Sequence, residues 1–334
     1  MKKLKLRGNN ILLAITVILF VVMYAGGCII YADKGFTHLQ TFLNVLINNA
    51  GLIAVAAGMT CVMLTGGIDI SVGSLIAMDC MFLAVGMEQW GMSSPVLMIL
   101  VLVIGAVFGL VQGYCVAYLE IQPFIVTMAG MFFARGMTAV ICKDQVSIVS
   151  DKIFTAISNT KISIPFGGYT NKKGIYQTPF IRPTVLVALL VIVAVFLMLK
   201  YTKFGRSIYA VGGNQVSATL MGLNVKKTKL LTYTLCSLLT SIGGIRYCGT
   251  TTQASGLEMD AISSSVIGGT LLTGGVGNVL GSLVGVLING TISTLVKSNG
   301  KLVSSWANII TAILLCFFIL LQAIFAKVKE SKKA

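Results

Sequence analysis

The residues best placed to do chemistry lie between Leu64 and Ala77, LTGGIDISVGSLIA, where Asp69 and Ser71 sit among three glycines. They interrupt about 45 residues of otherwise apolar chain, and apolar runs cross a bilayer in lengths of about 20 residues. Thr41 to Gly86 is therefore predicted to hold two crossings, with this segment as their joint. Gly66, Gly67 and Gly73 open backbone conformations and close approaches that other residues cannot take. Asp69 or Ser71 offers a side-chain oxygen to the free N–H groups of a new helix. Irregular polar backbone at membrane depth persists only where protein buries it or water fills a cavity beside it. An ionisable group there is a candidate for handling a solute; the plainer alternative is a helix cap in a short cytoplasmic turn.

A second copy shifts the balance. Thr273 to Gly285, TGGVGNVLGSLVG, repeats the pattern at T-G-G, at an Ile/Val and at G-S-L, with a constant offset of 208 residues. Broken-helix segments duplicated in corresponding positions point to a transport pathway between repeats.

The elements that must position these motifs follow from composition. With 56% hydrophobic and 10% charged residues in 334 positions, the chain is predicted to be an all-α polytopic membrane protein. It forms a single transmembrane domain, residues 1–334, of about ten helices with an internal repeat of broken-helix segments. The net charge of +15 does not indicate nucleic acid, because the cations lie between apolar runs rather than on an aromatic-bearing, water-exposed surface. Eight cysteines fall mostly within apolar runs and without C-x-x-C spacing, which suggests neither disulfide nor zinc site. Met1 to Asn10 with the apolar run after it imitates a secretory signal. That run continues to Ile30, long enough for an uncleaved first helix.

The predicted helices cover 11–31, 42–64, 71–87, 96–119, 123–142, 183–199 and 230–248. A broken pair follows at 261–272 and 276–296, then a last helix at 303–325. Between them, 143–182 is expected to be a long external lobe and 200–229 a polar segment on the inner side. There Asn214 starts a short amphipathic helix, stopped near Gly222, that could lie on lipid or seat in a partner's groove. Asn48 and Asn49 must hydrogen-bond, either across helices or to a solute. Arg135 lies inside its helix, with Asp69, Asp79 or backbone carbonyls as candidate partners. His38, the single histidine, stands in a surface loop and is not expected to act as ligand or base. Fourteen of the 25 Lys and Arg residues lie in the N-terminal segment, in 200–229 and in the tail. This places both termini in the cytoplasm, although the 143–182 loop holds six more.

No G-x-S-x-G, H-E-x-x-H or P-loop is present, so no catalytic residue and no metal ligand is assigned, and any ATP hydrolysis belongs to another chain. The glycine pairs at 212–213, 243–244, 268–269 and 274–275 suit close helix packing rather than phosphate binding.

LTGGIDISVGSLIA, IQPFIVTMAGMFFARG, FGRSIYAVGGNQVSATLMGLNV and EMDAISSSVIGGTLLTGGVGNVLGSLVGVLING together resemble the permease subunits of bacterial ABC importers for monosaccharides, of the ribose/galactose/xylose type. The likeness runs in order over nearly the whole chain. IQPFIVTMAGMFFARG, IYAVGGNQVSATLMGL and SSWANI near Trp306 most resemble the galactofuranose-type permeases. The resemblance implies two permease subunits, alike or different, two docked ABC ATPase subunits that hold ATP and Mg, and a periplasmic or lipid-anchored sugar-binding protein. It implies no cofactor on this chain, and a place in the inner membrane. Asn214, Ala218, Met221 and Gly222 match the family's ATPase-coupling segment, which favours ATPase docking over the lipid surface. The candidate pathway residues are Asn48, Asn49, Gly66, Gly67, Asp69, Ser71, Phe124, Thr127, Gly268, Gly269, Thr270, Gly274, Gly275, Asn278 and Asn289. One departure is a segment between Arg246 and Glu258 that is shorter than the family pattern and carries an unusual arginine. Two rival classes are an ion-driven carrier, with Asp69, Asp79 and Glu120 as relay candidates, and a membrane-embedded enzyme or scaffold, which lacks any convergent nucleophile and base.

Overall fold

Long runs of Leu, Val, Ile and Ala close into helices here because an apolar surrounding leaves each backbone N–H and C=O to find a partner within its own segment. The computed structural model describes residues 8–144, 146–148, 151–170, 176–248 and 256–331. Thirteen helices follow one another among them. They are α1 (Gly8–Ile30), α2 (Leu39–Leu64), α3 (Val72–Glu88), α4 (Ser94–Ala117), α5 (Pro123–Ile141), α6 (Lys152–Asn159), α7 (Pro183–Tyr201), α8 (Lys203–Gly213), α9 (Gln215–Leu220), α10 (Val225–Tyr247), α11 (Leu257–Ile267), α12 (Val279–Asn299) and α13 (Ser305–Ser331). Two antiparallel pairs, β1 (Ile162–Ser163) with β4 (Phe180–Ile181) and β2 (Tyr169–Thr170) with β3 (Tyr176–Gln177), join α6 in the lobe between α5 and α7.

Among the described residues seven helices, α1, α2, α4, α5, α7, α12 and α13, are long and apolar enough to cross a membrane. The other three counted among about ten crossings fall outside that set. Helix α3 has 17 residues and α11 only 11; at ~1.5 Å per residue α11 covers about half of a ~30 Å hydrocarbon core. Helix α10 carries Lys226, Lys227, Lys229 and Arg246 among many hydroxyl residues. It starts five residues before the predicted Leu230, because Asn224 Oδ1 accepts a hydrogen bond from Lys227 N at 2.9 Å and caps it there. The second break is longer than predicted, from Gly268 to Asn278, since Gly269, Gly274 and Gly275 all take left-handed φ of +91°, +86° and +74°. The basic residues at 2, 3, 5 and 7, the last three of the tail and most of the shortened 246–258 segment lie outside the described residues.

Helix α2 is buried along most of its length, among α7, α10, α11 and α12. Helices α4 and α10 meet along Gly105, Gly109 and Gly113, spaced four apart on one face, where a Cβ on Gly113 would stand 2.7 Å from the Leu230 carbonyl. Small residues bring membrane helices this close. A hydroxyl cluster ties α2 to α11 and α12: Thr60 Oγ1 lies 2.6 Å from Ser282 Oγ and 3.2 Å from Ser265 Oγ.

At the lobe end, Gln40 exchanges two hydrogen bonds with the backbone of Phe180. His38 stacks on Tyr169 at 4.2 Å, so it buttresses the lobe. Asp151 caps α6 through Phe154 N at 2.7 Å and also accepts from Ser94 N and Oγ at the start of α4. These donors, the Phe154 amide first, hold its carboxyl below the ordinary carboxylate range. At the opposite end lie α8, α9, the α4–α5 turn and the start of α10.

Candidate functional site

The two T-G-G breaks pack on each other. Leu64 ends α2, and its carbonyl, left without a helical partner, accepts a hydrogen bond of 2.9 Å from Gly275 N in the second break. Gly66 and Gly274, equivalent positions in the repeat, both take left-handed φ, +79° and +86°. A Cβ on Gly274 would lie 2.8 Å from Gly66 N, and one on Gly275 would lie 2.8 Å from Gly213 Cα. The last turn of α8 is thus the third member: a Cβ on Gly212 would overlap the Leu64 carbonyl oxygen and stand 2.6 Å from Gly275 N. Three stretches of backbone meet where positions 212, 274 and 275 leave no room for a side chain. A tyrosine hydroxyl braces each break, Tyr209 donating to the Gly277 carbonyl at 3.0 Å and Tyr233 to that of Ile68 at 3.5 Å.

This junction lies at the α8 end of the bundle rather than at mid-depth, because α2 runs 26 residues, ~39 Å, before it breaks. Leu12 of α1 packs on Gly269, and Gln322 of α13 donates to the Val266 carbonyl at 3.0 Å and the Thr270 carbonyl at 3.4 Å. Helices α1 and α13 therefore both pack on this junction.

Beside the first break is a buried polar triad. Asp69 Oδ1 accepts from Ser71 N at 2.9 Å and from Ser71 Oγ at 2.6 Å, and Ser71 Oγ accepts from Gln112 Nε2 of α4 at 3.0 Å. Gly130 of α5 leaves room for that amide. Asp69 and Ser71 are both fully buried. Asp69 thus folds the turn back on Ser71 rather than capping a later N–H. Replacing Asp69 by leucine removes both acceptor contacts and is expected to lower stability by about 1.5–3 kcal/mol. Asparagine keeps an acceptor for Ser71 and should cost much less. Thermal unfolding in detergent checks this; equal damage from both would mean that the charge, not the acceptor, holds the turn.

The other candidate pathway residues are dispersed. Asn48 is exposed on the lobe-side half of α2, together with Asn44, which the sequence reading missed. Asn49 donates to the Val45 carbonyl at 2.8 Å within its own helix and presses on Gly290 of α12. Asn289 donates to Ser264 Oγ at 2.9 Å and Ser263 Oγ at 3.0 Å. Asn278 caps α12 through Leu280 N at 3.0 Å. Gly66 is exposed, whereas Gly67, Gly268, Gly269, Gly274 and Thr270 are buried and Gly275 half-buried. Phe124 is exposed at the start of α5, and Thr127 is buried and bonded to the Pro123 carbonyl at 2.9 Å. Arg135 is exposed and forms no ion pair with the buried Asp69 or Asp79 among the described residues. Gln112 and the Thr60–Ser265–Ser282 cluster are the main omissions of the sequence reading. Their signal was polar residues inside apolar helices, above all the Ser263–Ser265 run.

Helix α9 hangs from the junction by one residue. Asn214 ends α8 and caps α9, accepting from Ser217 N at 2.8 Å. Ala218 is fully buried against Val211 and Val225, and Gly222 closes the turn with φ of +79°. Val216, Leu220 and Met221 are 69%, 84% and 67% exposed, an apolar knob on a polar end of the protein.

The family described as branched-chain amino acid transport system / permease component matches residues 41–319. The inner membrane ABC transporter permease protein YjfF of Escherichia coli is 40% identical over 94% of this chain and 92% of its own length. The fructose import permease protein FruG of Bifidobacterium longum is 35% identical over 95% and 92%. The ribose import permease protein RbsC of E. coli is 35% identical over 78% and 79%. No solved structure matches.

Proposed function

This chain belongs to the family of branched-chain amino acid transport system / permease components, and on that premise we propose that it is the membrane-spanning permease subunit of an ABC importer that takes up a monosaccharide. The similarity to sugar permeases over nearly the full length of both chains carries the reading. Although the family description concerns branched-chain amino acids, the relatives named above with a substrate import fructose and ribose. In this reading the chain sits in the inner membrane with both termini cytoplasmic, pairs with a second permease subunit, and receives sugar from a periplasmic or lipid-anchored binding protein. ATP and Mg bind the partner ATPase, into which α9 inserts.

Force would travel a short path. Val216, Leu220 and Met221 enter a groove on the ATPase, and Asn214 passes their displacement to Gly212 and Gly213. Because Gly212 touches the Leu64 carbonyl and the amide of Gly275, both breaks move together. Helices α2 and α12 then tilt and open one side at a time. A sugar leaving water needs hydrogen-bond partners, which scattered amides such as Asn44 and Asn48 provide without a tight site, and selectivity rests with the binding protein.

Vesicles containing this chain, its ATPase and its binding protein are expected to accumulate labelled monosaccharide only with ATP inside the ATPase compartment. Accumulation by the chain alone under a proton or sodium gradient would overturn the assignment.

A further inference from the structure

A cavity of about 640 Å³ opens where α4 ends, between the α4–α5 turn, α9 and the start of α10. Its polar wall carries charges of both signs: Glu120, Lys226 and Lys229, with Gln215 and Thr219 beside them. Glu120 holds a left-handed backbone, φ +55°, without being glycine, a conformation uncommon for such a residue. Its Oε1 lies 3.4 Å from Lys226 Nζ. Lys229 Nζ donates to Gln215 Oε1 at 2.8 Å. The cavity is thus built, with Glu120 paired to Lys226 and Lys229 tied to Gln215, so that its wall presents both charges side by side.

An apolar lane leads to it. Val103, Val107, Val111 and Tyr114 are exposed three or four residues apart on one face of α4. Tyr114 and Tyr118 stack at 5.2 Å at the end of the lane, and Lys226 Nζ stands 5.9 Å from the Tyr118 ring. Tyrosines gather at membrane interfaces, and basic cavities between membrane helices take lipid head groups. We propose that this cavity holds the head group of a phospholipid bearing both a phosphate and a primary amine, with one acyl chain along the α4 lane. Lys226 and Lys229 contact the phosphate, and Glu120 accepts from the ammonium. A lipid with a phosphate but no amine would draw Lys226 away from Glu120 and offer the carboxylate no donor in return, so it binds less well. The lipid would fasten the α4–α5 turn to the α9–α10 corner.

The test uses the purified full chain, stripped of lipid in detergent and mixed with equal amounts of phosphatidylethanolamine and phosphatidylglycerol, with retained lipid counted by native mass spectrometry. Phosphatidylethanolamine is expected to be retained about tenfold over phosphatidylglycerol, as charge-assisted hydrogen bonds predict. Glu120→Gln should bring the two toward parity, and Lys226→Gln with Lys229→Gln should release both. Phosphatidylcholine, which keeps the phosphate but offers no N–H, should bind less than phosphatidylethanolamine, a comparison that needs no variant. Equal retention of the lipids by the unaltered chain, or a preference that Glu120→Gln leaves intact, would overturn the proposal and indicate that a partner's side chains fill the cavity.

Discussion

Gly212→Ala is expected to abolish ATP-dependent uptake and to destabilise the chain by about 3 kcal/mol or more, from overpacking together with a strained or lost buried hydrogen bond. The methyl group would overlap the Leu64 carbonyl oxygen and stand 2.6 Å from the Gly275 amide. Neither obstacle is a flexible side chain. The two atoms are bonded to each other at 2.9 Å, so moving either away from the methyl opens the contact between the repeats. The neighbouring Gly213 is the control: a Cβ there meets nothing within 4 Å, and Gly213→Ala should leave both stability and uptake near normal. Thermal unfolding in detergent and uptake into vesicles measure the pair. If the two variants behaved alike, close approach at the junction would not be what position 212 supplies.

The second large effect is expected at α9. Changing Leu220 and Met221 together to aspartate should leave the unfolding temperature unchanged, because both side chains are exposed and pack on nothing the fold needs. Association with the ATPase should nevertheless fall by at least about thirtyfold, since buried apolar anchors at interfaces are each worth ~2 kcal/mol or more, and uptake should fall with it. Co-purification of the two subunits and ATP-dependent uptake give the readout. Persistence of both would remove α9 from the coupling role. Bulk at Ala218 cannot make this distinction. That residue is enclosed by Val211 and Val225, so Ala218→Leu would disturb the corner itself before any partner was involved.

The broken helices were legible because glycine and threonine recur at a fixed spacing, and that spacing survives in the backbone as left-handed φ at both Gly66 and Gly274. The short helix after Asn214 was legible for a similar local reason: a capping side chain at one end and a glycine at the other. Asp69 read differently in its setting. Its position suggested a wet passage or a helix cap; the structure buries it on Ser71, whose hydroxyl accepts from Gln112, 41 positions further along and beyond what any local pattern could nominate. The same holds for Asn289, whose amide reaches Ser263 and Ser264 across two helices.

Taken alone, the sequence determined that the chain is a bundle of membrane helices, that two T-G-G segments interrupt it, and which family it resembles. These follow from hydropathy and from backbone preferences, which act over a few residues. Only the tertiary structure decided that the two breaks touch, that α8 is wedged between them through Gly212, and that a charged cavity lies beside α9. Such contacts depend on how distant helices cross, and a glycine that permits a close approach carries no mark of what approaches it.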